Sequence, residues 1–152
     1  MDATRLLEKD HAAVRTLSKQ YEKAGDRAFS TKARIVASMK AELDAHMAIE
    51  EEIFYPAMKA ARSKDARESV REGVEEHTII KRLLGELDEM KPEDEQYDAK
   101  VKVLSDTVEH HAGEEEKEMF VEARKLFSKE RREELGELME KRKESLLAVE
   151  SD

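Results

Sequence analysis

Four of the five histidines in this chain fall on stripes that are otherwise apolar. Met39, Leu43, His46, Glu50, Ile53 and Ala57 recur at steps of three and four, so a helix would carry all six on one face. Val101, Leu104, Val108, His111, Glu115 and Met119 repeat the pattern with the same internal spacing. His11 follows Leu7 and precedes Val14, and His77 sits among Val70, Gly73, Ile80, Leu84 and Leu87. A single His-x-x-x-Glu says little in a chain with 27 glutamates among 152 residues. Ionisable groups on four core faces say more, because burying them unpartnered costs several kcal/mol for the carboxylates alone. Two divalent cations would compensate: four imidazoles offer neutral nitrogen donors, and two carboxylates can each bridge both ions. With no cysteine, any metal must be held by histidine and carboxylate. The expected ligands are His11, His46, Glu50, His77, His111 and Glu115.

For any one of these residues the competing reading is a core histidine bonded to a nearby carboxylate; the set of six reverses the balance. His110 points away from the His111 face and reads as a surface or supporting residue. Phe54 and Tyr55, a turn beyond Glu50, read as sheltering hydrophobics, with approach of the Tyr55 phenol to a metal as the alternative. The other members of Glu50-Glu51-Glu52 and Glu114-Glu115-Glu116 read as a solvated rim.

Positioning these groups requires long helices. Charged residues make up 43% of the chain and hydrophobic ones 39%, with five Gly, two Pro and no Trp, a helix-forming balance. Breakers at Gly25-Asp26, Ser63-Lys64-Asp65, Lys91-Pro92 and Ser128 predict helices over 3–24, 30–62, 66–90, 94–127 and 129–149. Asp65 and Glu68 have capping-box spacing. Pro56 should kink the second helix or weaken the turn around Glu52. Short connections make the first four helices an antiparallel up-down-up-down bundle. The expected organisation is an all-α four-helix bundle over 1–127 and a C-terminal helical extension over 128–152. Leu135, Leu138, Leu146 and Leu147 give that extension an apolar component suited to capping the bundle, with dimerisation as the alternative; a monomer or homodimer is expected.

A formal net charge of −9 with scattered Lys and Arg argues against a nucleic-acid footprint, which needs a basic stripe. The first residues lack a basic segment followed by an apolar run, and no stretch has 18 consecutive apolar residues. The expectation is a cytoplasmic protein with no membrane partner.

Asp10-His11, then His46-x-x-x-Glu50-Glu51 running into Ile53-Phe54-Tyr55-Pro56, then Glu75-Glu76-His77, then His110-His111 before Glu114-Glu115-Glu116, resembles the hemerythrin family in its bacterial HHE cation-binding branch. The resemblance spans about residues 6 to 127. It implies a non-haem di-iron centre, oxo- or hydroxo- and carboxylate-bridged, with Glu50 and Glu115 bridging and His11, His46, His77 and His111 terminal. Oxygen-carrying members place a second histidine one turn from the first on the third helix; here those positions are Gly73 and Lys81. Fewer imidazoles leave more positions open to water, peroxide or a phenol, which suits turnover better than storage. Gly73 either leaves room for such a ligand or permits close helix packing. The functional expectation is binding or sensing of dioxygen, nitric oxide or iron. The alternatives are a di-iron enzyme degrading hydrogen peroxide in oxidative-stress defence, and a structural metal domain.

Overall fold

Segments rich in Ala, Leu, Glu, Lys and Arg fold as helices that meet at short turns. The computed structural model describes residues 1–151. Helix α1 (Ala3–Lys23) starts at Asp2, whose carboxylate accepts the Thr4 N–H at 2.8 Å. Helix α2 (Phe29–Ile49) continues through a π-helical turn (Glu50–Phe54) into α3 (Tyr55–Ala60). Arg62, at φ 61°, reverses the chain into α4 (Lys64–Asp88). Helix α5 (Tyr97–Glu114) passes through a second π-helical turn (Glu115–Met119) into α6 (Phe120–Leu126), and α7 (Lys129–Ser151) follows. The rods α1, α2–α3, α4 and α5–α6 form the antiparallel bundle, and α7 packs along α1, α2 and the first π turn.

Two expected starts move. The cap of α4 is Ser63, whose hydroxyl accepts the Ala66 N–H at 3.2 Å, rather than Asp65. The fourth rod begins at Tyr97 rather than 94, because residues 91–96 after Pro92 close turns of their own.

Pro56 lacks the N–H that would bond to Glu52, and a π turn lies beside it as expected of a disturbed ladder. The wider turn inserts one residue into the apolar pattern. Beyond Glu50 the stripe continues through the fully buried Phe54 and Met58, with Tyr55 buried beside them, while Ile53 and Ala57, expected in the core, are only partly buried.

The apolar core comes in two parts. One gathers Leu6, Leu7, Ile49, Phe54, Met58, Val70, Phe120 and Ala123. The other gathers Val14, Met39, Leu43, Ile80, Leu84, Val101, Leu104 and Val108. Along each rod the inward histidines lie between these parts, so a polar layer crosses the bundle. Leu135 and Met139 of α7 complete the first part, whereas Leu138 is exposed. Among the described residues, no helix is long and apolar enough to cross a membrane.

Candidate metal centre

All six expected ligands are buried, at 4% exposure or less. Their donor atoms form two groups: His11, His46 and Glu115 in one, and His77, His111 and Glu50 in the other. The imidazoles pair edge to face, His11 with His46 and His77 with His111, each at 4.9 Å between ring centres. Each glutamate reaches both groups. Glu50 Oε1 lies 3.1 Å from His46 Nε2 and 3.0 Å from His77 Nε2. Glu115 Oε1 lies 3.1 Å from His11 Nε2 and 3.4 Å from His111 Nε2.

Every Nε2 turns toward the centre because every Nδ1 is held by a carboxylate. His46 Nδ1 meets Asp10 at 2.9 Å, His11 Nδ1 meets Glu116 at 2.8 Å, His77 Nδ1 meets Glu51 at 2.6 Å, and His111 Nδ1 meets Glu76 at 2.5 Å. A carboxylate on the far nitrogen fixes ring orientation and raises the basicity of the inward one. Glu51 and Glu116 are thus not merely rim residues. Each works with the preceding glutamate: Glu50 and Glu51 grip His77 from its two nitrogens, and Glu115 and Glu116 grip His11. Both grips lie at the start of a π turn.

These partners repeat in the chain. An acidic residue followed by His, then His-x-x-x-Glu-Glu, occurs as Asp10-His11 with His46–Glu51 and again as Glu76-His77 with His111–Glu116. The acidic member of each first pair orients the histidine of the following motif. That doubled pattern was the available sequence signal for all four supporting carboxylates.

Tyr55 is 2% exposed and donates its O–H to Glu115 Oε2 at 2.7 Å, while its oxygen lies 3.3 Å from His77 Nε2. Its ring stacks on His77 at 5.3 Å. Gly73 makes this possible, since a Cβ there would stand 2.6 Å from the phenol oxygen. His110 is exposed and pairs with Glu114 at 3.1 Å, outside the two buried groups.

The layer strongly favours positive charge. Burial alone would lower both imidazoles, but the Glu50 charge and the Asp10 hydrogen bond push His46 up to about 10. The Glu115 charge and the hydrogen bond to Glu76 likewise push His111 up to about 11. Burial and the neighbouring Glu50 charge raise the Glu115 carboxyl, whereas Glu50, against its own burial, is held well below the usual range by the His46 charge. Burial and the Glu50 and Glu115 charges keep the Tyr55 phenol protonated. Three buried atoms, His46 Nε2, His111 Nε2 and Glu50 Oε2, have no hydrogen-bond partner. Buried polar atoms are normally paired. Unpaired nitrogens and an unpaired carboxylate oxygen converging on one layer fit the donor set of a divalent cation.

The model of the hemerythrin HHE cation binding domain matches residues 2–123. The chain belongs to this hemerythrin family. Its fold is similar to that of a crystal structure of a hemerythrin HHE cation binding domain-containing protein from Mycobacterium kansasii. The TM-score is 0.84 at 24% identity, over 98% of this chain and 89% of that one. No curated protein matched the chain. The match to the hemerythrin domain ends before α7, whereas the structural similarity extends over nearly the whole chain.

Proposed function

We propose that the chain holds two iron ions, one at His11, His46 and Glu115 and the other at His77, His111 and Glu50, and uses them to bind or sense a small ligand such as dioxygen or nitric oxide. The observation that carries this reading is the layer itself: four imidazoles with Nδ1 held by carboxylates and Nε2 directed inward, around two glutamates that each reach both groups. Glu50 and Glu115, which each reach both groups, would be the residues shared between the two ions. A bound iron pair would supply electron transfer to and from an oxygen species.

The protein's own part is to orient, exclude and donate. Asp10, Glu51, Glu76 and Glu116 orient the imidazoles. Phe54, Phe120 and Leu7 wall off one side of the layer from solvent. A crevice of about 10 Å³, room for one water-sized molecule, reaches His111 and Glu115 past Gly73, Glu72 and Glu118. Its size favours a diatomic ligand or peroxide over any organic substrate. Peroxide degradation is the second reading, favoured by Tyr55, which holds a proton 2.7 Å from Glu115 and can act as a proton donor beside the centre.

Anaerobic reconstitution with ferrous iron, metal counting, and spectra after adding oxygen and separately hydrogen peroxide test the proposal. Two irons per chain with a persistent oxygen-dependent absorption band support a carrier or sensor. Two irons with sustained gas evolution from peroxide support the enzyme. Failure to bind iron overturns both.

A further inference from the structure

The doubled motif gives the two ends of the centre the same parts, and α7 covers only one of them. Asp10, which orients His46, is 2% exposed, and each of its oxygens has a partner. Oδ2 meets His46 Nδ1 at 2.9 Å, and Oδ1 accepts from Lys143 Nζ of α7 at 2.5 Å. Lys143 also donates to Glu42 of α2 at 2.7 Å, and Arg142 beside it donates to Glu52 in the first π turn at 3.1 Å. Among the described residues, Glu76, the counterpart of Asp10, has no hydrogen bond or ion pair with α7. It is only partly buried, its second oxygen faces the exposed His110 at 3.8 Å, and the crevice opens beside it.

We infer that Lys143 is a positioning residue for the His11–His46 end of the centre, so that α7 makes one metal position closed and firmly held while the His77–His111 end stays open to small ligands. The inference rests on the two-metal reading above. A buried carboxylate with an oxygen left unpaired is costly, and an ammonium on that oxygen offsets the cost. Lys143 therefore holds Asp10 in place through its second oxygen, Asp10 keeps the His46 ring turned with Nε2 inward, and the effect ends there. Among the described residues no lysine or arginine pairs with Glu76, so removing Lys143 acts on one position only.

The test uses the full chain and zinc or cobalt as probe ions, with metal stoichiometry, chelator competition and the cobalt visible spectrum as readouts. Loss of a partner behind a metal-bound histidine typically weakens binding about 10- to 100-fold. Acting one residue further out, Lys143→Met is expected to weaken one of the two ions about tenfold and leave the other unchanged. In a His77→Ala background, where the His11–His46 end holds the remaining ion, Lys143→Met should weaken it; in a His11→Ala background it should not. Lys143→Arg should restore binding, and circular dichroism confirms that each variant is folded. Unchanged affinity for both ions in Lys143→Met, or equal weakening of both, overturns the inference. So does an unfolded Lys143→Met with a folded, normally loaded Lys143→Gln. If the unaltered chain itself fails to bind two ions, the two-metal reading fails instead, and that result is distinguishable at the first titration.

Discussion

A methyl group on Gly73 would stand 2.6 Å from the Tyr55 phenol oxygen and 3.0 Å from the ring carbon that bears it. Gly73→Ala is therefore expected to displace the phenol from Glu115 and to cost about 1–3 kcal/mol, as overpacking does. Denaturant titration measures the loss. In a Tyr55→Phe background the closest contact is gone, so part of the cost should vanish; an undiminished cost would mean that the glycine serves helix packing instead. At the centre, Glu50→Ala and Glu115→Ala should each release both ions, whereas His11→Ala should weaken mainly one. Metal counting decides, and loss of one ion from every variant would refute bridging. The inward residues were legible because a polar group on an apolar stripe at steps of three and four is conspicuous. Asp10, Glu51, Glu76 and Glu116 were missed, since acidic residues beside a buried position are common in a chain this charged and only the doubled motif marked them out. Which ring each one holds is set by the packing of neighbouring helices.

The two π turns belong to the scale of the element. Only the first has a proline nearby, Pro56, two residues past its end, yet both start at a glutamate of the centre and both close with an N–H five residues on, Tyr55 to Glu50 and Phe120 to Glu115. What the two turns share is the grip of two consecutive glutamates on one imidazole, so a proline beside the first is not required for a turn of this kind. Pro56→Ala is expected to leave the first π turn in place, which a crystal structure of the variant would check; reversion to regular α-helix would return the cause to the proline. Periodicity gave the rods, but it has no means of registering an inserted residue. This is why Ile53 and Ala57 were expected where Phe54 and Met58 are found. Helix ends make a separate prediction. Burial opposes ionisation of Asp2, but hydrogen bonds from Arg132 of α7 and from Thr4 outweigh it and hold the carboxyl below its ordinary 3.8. A carboxyl lowered in the folded chain contributes stability above its ordinary value and loses that contribution as pH falls through the lowered one. Asp2→Asn should therefore cost stability at pH 7, about 1 kcal/mol at most for a cap, and progressively less toward pH 3, measured by urea unfolding at both values.

Across the whole molecule, the layer of ionisable groups means that stability and metal content cannot be separated. Any ion that binds the folded chain and not the unfolded one stabilises it by mass action, by about 2.7 kcal/mol at a hundred times its dissociation constant. For a chain of this size that corresponds to a rise of roughly 5–11 °C in Tm. Zinc should raise Tm by that order, while Glu50→Ala with Glu115→Ala should abolish the rise. A zinc-independent Tm in the unaltered chain would contradict the metal reading. The fold class was visible at this scale because short turns between long helices leave few arrangements. The place of α7 was less so, since among its described residues Leu135 and Met139 alone join the buried core.

The division of the core carries one more consequence. The cluster that holds Leu6 and Phe120 and the cluster that holds Val14 and Val108 make two apolar bodies joined at a polar waist. Unloaded, the waist couples them through charges that water can also satisfy, and amide exchange should reveal two bodies opening separately. Bound ions would draw all four rods together at that level. The bodies should then open as one, with exchange in each slowed to the rate of global unfolding. The metal would thus set whether this chain behaves as one cooperative unit or two.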